Sequence, residues 1–137
     1  MNQFKNEKTI ESEFTAMLFS AKSYFETENH KNYEYHQCLV LTTVQGEQMI
    51  YPVSSDSAEM LINQQCSIIS ELEKEGKTAI QKMICMWKGN DVDVPSFQFM
   101  KKLCELNPEN KETEVLLSAG NEAYVTRKIN DVIGKFV

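Results

Sequence analysis

The chain has 137 residues, of which 42% are hydrophobic and 25% charged, and these proportions fit one folded domain and exclude wholesale disorder. No apolar run approaches the ~20 residues that cross a bilayer as a helix, and MNQFKNEKTIESEF lacks the basic and apolar regions of a secretory signal, so a cytoplasmic location is expected. The net charge of −6 is lopsided: Met1–Gly76 holds five basic against 12 acidic residues (net −7) and Lys77–Val137 nine against eight (net +1), a field that repels nucleic-acid backbones.

In chain order, residues 1–8 are expected to be flexible. Ile10, Phe14, Met17, Leu18, Ala21 and Phe25 then recur at the spacing of one helical face, with Thr9 as its cap and Glu11 and Glu13 in the first turn. The polar run ETENHKNYEY reads as a loop. Tyr35–Val44 is β-rich, Gln45-Gly46-Glu47 marks a turn, and QMIYPV is a returning strand whose Pro52 cannot donate to a ladder and places it at an edge. A helix follows, with Asp56 and Glu59 spaced like a capping box, Leu61, Ile62, Ile68, Ile69 and Leu72 on its apolar arc, and Gly76 as its stop.

The same order then recurs. TAIQKMICMWK reads as a strand, Gly89-Asn90 as a two-residue hairpin turn, DVDV as the return strand, and Pro95-Ser96 as the opening of a helix carrying Phe99, Met100, Leu103 and Leu106. EVLLSA, Gly120-Asn121 and EAYV make a third hairpin, and Thr126 is the expected cap of a last helix with Ile129, Val132, Ile133 and Phe136. The expected fold is therefore a single α+β domain over 1–137: an N-terminal helix and three β-hairpin–helix (ββα) units, forming an antiparallel sheet with helices mainly on one face. Unequal separations between the units argue against a fixed-period repeat.

A two-residue loop at Gly89-Asn90 pairs Trp87 with Val92 and Met86 with Asp93. Met83, Cys85, Trp87, Val92 and Val94 then share the core face, and Lys82, Ile84, Met86, Lys88, Asp91 and Asp93 share a mixed surface. Asp91 and Asp93, two apart on a strand and so ~6–7 Å apart, have the spacing of an acid/base or cation-holding pair, although no third acid is spaced to join them. His36 and Cys38 stand in the same relation, and a Cys–His pair can form a thiolate nucleophile, but Cys38 begins an apolar run and a core cysteine beside a rim histidine is the favoured reading. Cys38, Cys66, Cys85 and Cys104 include no C-x-x-C pair and read as small buried hydrophobes, so neither a disulfide framework, a metal nor another cofactor is expected.

Gln65 falls inside an apolar helical arc, where a buried amide must find partners in the backbone or in a ligand. The run Met83–Trp87 is apolar on both sides and demands cover from the first helix, a second molecule or a partner. Glycine-rich phosphate loops, the G-x-S-x-G elbow and H-E-x-x-H are all missing. The leading expectation is thus a non-enzymatic protein acting on a protein partner, as an inhibitor, antitoxin-like or accessory factor that self-associates, with Met83, Met86 and Trp87 at the contact surface. Two alternatives are a small-molecule binder with a pocket near Gln65, Trp87 and Tyr124, and a small hydrolase using His36/Cys38 or Asp91/Asp93.

Overall fold

The computed structural model describes residues 11–27 and 31–134; the expected flexible start, Thr9, Ile10 and Phe136 lie outside them. Among the described residues the chain is an α+β fold with a five-stranded mixed sheet and four α-helices. The helices are α1 (Ser12–Thr27), α2 (Ala58–Glu75), α3 (Phe97–Leu106) and α4 (Ile129–Ile133), and the strands are β1 (Tyr35–Thr43), β2 (Gln48–Ser55), β3 (Ile80–Trp87), β4 (Glu114–Ser118) and β5 (Tyr124–Lys128). A short 3₁₀ turn, Pro108–Glu112, links α3 to β4. The strand order is β2-β1-β3-β4-β5, with β2 at an edge as Pro52 requires.

Two features depart from the expected architecture. First, β3 and β4 run parallel, pairing Lys82 with Glu114 and Met83 with Val115, so the sheet is mixed rather than antiparallel. The return segment after Gly89-Asn90 is not a strand; it touches β3 only through the bridge Met86–Val92, and β4 takes the adjacent place in the sheet. β1-β2 and β4-β5 are antiparallel hairpins that each lead into a helix, α2 and α4, whereas the middle unit lacks its second strand. The last helix starts at Ile129 rather than near Thr126, which lies in β5, and it has no side-chain cap.

Second, helices cover both faces. Phe14, Met17, Leu18 and Ala21 of α1 bury themselves against Cys38, Val40, Ile84, Met86, Val92 and Leu116 on one side of the sheet. On the other side, Leu61, Ile68 and Leu72 of α2 and Phe99, Met100 and Leu103 of α3 pack on Leu39, Leu41, Met83, Cys85 and Val115. The doubly apolar β3 strand, whose residues Met83 to Met86 have no exposed surface, is therefore covered within the chain. That removes the need for an outside partner which had motivated the protein-binding expectation.

The register of the Lys88–Asn90 turn explains a further difference. Trp87 N–H donates to the Asp91 carbonyl at 2.8 Å and Asn90 N–H to the Trp87 carbonyl at 2.9 Å, so three residues, not two, form the loop. One extra residue slips the pairing and flips the side chains between faces. Val92 accordingly joins Ile84 and Met86 under α1, while Trp87 and Val94 pack on the α2/α3 side. Lys82, expected at a mixed surface, is buried under α1, where its ammonium meets Glu13 at 2.8 Å and Glu11 at 3.5 Å.

Candidate functional site at the C-terminal edge of the sheet

Strands β2, β3 and β4 all point the same way, since β1 is antiparallel to both of its neighbours and β4 is parallel to β3. Their C-terminal ends therefore share one edge, the usual place for ligands in sheets that carry parallel strands flanked by helices. α2 and α3 both begin at this edge. Ser57 caps α2, its hydroxyl accepting the Met60 N–H at 3.3 Å, and Ser96 caps α3, accepting the Phe99 N–H at 3.2 Å. The cap of α2 stands one residue beyond Asp56, because the Asp56 carboxylate instead accepts the Glu34 N–H at 3.0 Å. Glu59 sits exposed in the first turn of α2, where the helix dipole favours an acid, and makes no ion pair with any described residue.

Beneath the helix starts lies a chain of buried amides. Gln65 Nε2 donates to Gln37 Oε1 at 2.7 Å, and Gln65 Oε1 accepts the Ser96 N–H at 3.0 Å. One side chain of α2 thus ties the interior strand β1 to the first residue of the α3 cap. Gln37 lies opposite Trp87 in the sheet register, and the Trp87 ring stands 6.4 Å from that of Tyr35. Both rings are half-buried at the α2/α3 side of the same edge. Two capped helix starts, an exposed carboxylate and an aromatic pair, on a polar layer that fixes their positions, can stack a flat ring and accept hydrogen bonds from its edge.

On the α1 side the same edge holds a cavity of about 580 Å³, lined by Leu18 and Lys22 of α1, the turn residues Asn90 and Asp91, and Glu122 and Tyr124. Its size is within the ~300–1,000 Å³ common for ligand pockets.

The structure separates several residues that the sequence grouped. Gln65 and Trp87 share one face, but Tyr124 packs with the α1 cluster, so the three do not line a common pocket. Met83 and Met86 are wholly buried on opposite faces and present nothing to a partner. His36 and Cys38 both lie under α1. His36 Nε2 is 2.8 Å from the Tyr24 hydroxyl, and burial pushes the Cys38 thiol up to about 12, so it is not the thiolate that nucleophilic attack needs. Asp91 and Asp93 are exposed in an irregular segment, and Asp93 turns back to accept the Val94 N–H at 2.7 Å. Among the described residues no three His, Cys, Asp or Glu side chains gather as metal ligands would. No described helix is long and apolar enough to cross a membrane.

The edge was missed in the sequence because its members fall in four separate segments. Tyr35 reads as a strand residue and Glu59 as a helix-start residue, Ser57 carries no signal of its own, and no spacing rule joins them to Trp87 and Ser96.

No protein-family model and no curated protein matches the chain. Solved structures do share its fold. The cytidine deaminase from Mycobacterium leprae superposes with a TM-score of 0.62 at 14% identity, covering 88% of this chain and 96% of that one. The cytidine deaminase from Burkholderia pseudomallei gives 0.61 at 12% identity (86% and 94% covered), and that from Bacillus anthracis 0.59 at 14% (87% and 86%). The likeness spans nearly the whole of each chain. It overturns the expectation of an inhibitor-like, non-enzymatic protein acting on a protein partner: the fold is shared with small-molecule enzymes.

Proposed function

We propose that the chain acts on a small molecule of the cytidine class, held at the C-terminal edge of β2, β3 and β4. The observation that carries this is the half-buried Tyr35–Trp87 pair, set beside the starts of α2 and α3 in a fold shared over almost its full length with cytidine deaminases. A nucleobase is a flat ring with a polar edge. Proteins that hold single bases stack them on aromatic rings and read that edge by hydrogen bonds. In this site Trp87 and Tyr35 supply the stacking surface. The Glu59 carboxylate, the strongest acceptor at the helix starts, takes a hydrogen bond from the exocyclic amino group. Gln65 and Gln37 do not meet the ligand; they hold the α3 start against β1 so that the two helix ends keep their spacing.

Zinc-dependent deaminases attack the ring carbon with a metal-held hydroxide, using His/Cys/Cys or three-Cys ligands in an H-x-E…P-C-x-x-C pattern. Ser57-Ala58-Glu59 and Pro95-Ser96-Phe97-Gln98-Phe99 have that spacing at the starts of α2 and α3. Glu59 stands at the acid/base position, but serine, serine and phenylalanine stand at the ligand positions. These residues do not fit the metal, and no hydrolytic step is assigned through it.

Isothermal titration of the protein with cytidine, read alongside Trp87 emission, tests the reading. Saturable binding with a change in emission is expected. Trp87→Leu should weaken it roughly 5- to 150-fold, since a stacked base is worth about 1–3 kcal/mol. Absence of heat and of any fluorescence change with cytidine, uridine and cytosine at millimolar concentration would overturn it.

A further inference from the structure

The two helix starts carry a consequence beyond ligand class. Zinc in proteins is held by thiolate sulfur, imidazole nitrogen or carboxylate oxygen, three or four at a time. At the start of α2 the first ligand position is Ser57, whose oxygen is engaged with the Met60 N–H. At the start of α3 the second is Ser96, engaged with the Phe99 N–H. The third is Phe99 itself, a ring with no exposed surface that is part of the core between α2, α3 and the sheet. We infer that this chain carries helix caps and core packing where zinc deaminases carry metal ligands, so that the edge holds no zinc and works without metal-bound hydroxide.

Other donors do not stand in for them: among the described residues no three His, Cys, Asp or Glu side chains gather as metal ligands would. Cys66 lies nine residues past Ser57 and Cys104 eight past Ser96, each about 12–14 Å further along its own helix. Cys38 and His36 are on the α1 side of the sheet. Cys85 faces α2 and α3, but burial first, and Asp93 second, push its thiol up and hold it protonated. His30 lies outside the described residues, and one imidazole is not a site. The caps also give the helix starts a reason to keep their shape without metal: each serine meets one of the N–H groups that a helix start leaves unpaired.

Metal analysis tests the inference independently of cytidine binding. Protein prepared with added zinc and then dialysed should retain far less than one zinc per chain. Cobalt(II) added to it should give no thiolate-to-metal charge-transfer absorption. The variant Ser57→His/Ser96→Cys/Phe99→Cys should retain one zinc and show that absorption with cobalt. Because Phe99 is core, the milder Ser57→Cys/Ser96→Cys is made in parallel and should show a weaker cobalt band. One zinc per chain in the unaltered protein would overturn the inference. So would a folded double variant blind to cobalt, because Ser57 and Ser96 would then not stand together at a ligand site.

Discussion

Gln65 lies on the apolar arc of α2 with both ends of its amide engaged, one with Gln37 and the other with the Ser96 N–H. Replacing it by leucine keeps the volume but leaves a buried carbonyl oxygen and a backbone N–H without partners, at a cost of about 1–3 kcal/mol. Gln65→Leu should therefore lower the unfolding free energy by that amount, read as a lower urea midpoint at an unchanged denaturant slope. Asn110 is a stricter case. Wholly buried, it accepts the Ile80 N–H at 2.8 Å and donates to the Thr78 and Leu103 carbonyls at 2.8 and 2.9 Å, tying the 3₁₀ turn to β3 and α3. Asn110→Ala strands all three and should cost about 3 kcal/mol or more in the same urea titration. The buried position of Gln65 was legible in the helical wheel. Asn110 was not, because its partners lie 30 and 32 residues away as well as on the adjacent helix.

At the scale of elements, the helix caps carry the clearest prediction. Ser96→Ala removes the acceptor for the Phe99 N–H and should cost about 1 kcal/mol, measurable as a lowered thermal midpoint; Ser96→Asp should restore it. Ser96 and Gly76 were readable beforehand: a hydroxyl behind a proline starts a helix, and a glycine at φ 70° ends one. The α1 face was readable too, since Phe14, Met17, Leu18 and Ala21 follow a single helical period. The parallel β3–β4 pair was not, for the residue pattern of a strand does not record the direction of its neighbour. The hairpin at Gly89-Asn90 failed for a smaller reason. Gly-Asn suits a two-residue turn, but positive φ at both Gly89 and Asn90 also serves a loop of three, and that one residue exchanges the faces of Val92 and Asp93.

For the molecule as a whole, covering both faces of the sheet makes stability fall on the alkaline side. Burial raises the Cys38 thiol from its usual 9.0 to about 12. A thiol raised in the folded state releases its proton earlier in the unfolded chain. Its stabilising contribution is thus complete below pH 9 and is lost as pH climbs towards 12, at up to ~1.4 kcal/mol per pH unit. Burial pulls the Lys82 ammonium down, but Glu13 and Glu11 together outweigh it, and the group ends above its usual 10.5. Its clamp on α1 is complete below that value and is lost as pH rises further. Thermal midpoints should therefore fall above pH 9, and Cys38→Ala, though less stable at neutral pH, should fall less steeply between 9 and 12. Equal slopes for the two proteins would mean that the thiol is not buried as described.

The proposed site was the least legible part, because the edge that forms it is assembled by topology from residues that no local pattern links. Its most direct test is the set of backbone amide shifts in a heteronuclear NMR titration with cytidine. Saturable shifts centred on Tyr35, Glu59, Trp87 and Ser96 are expected. Shifts confined to Lys22, Asn90 and Glu122 on the α1 side, or none anywhere, would contradict the proposed site.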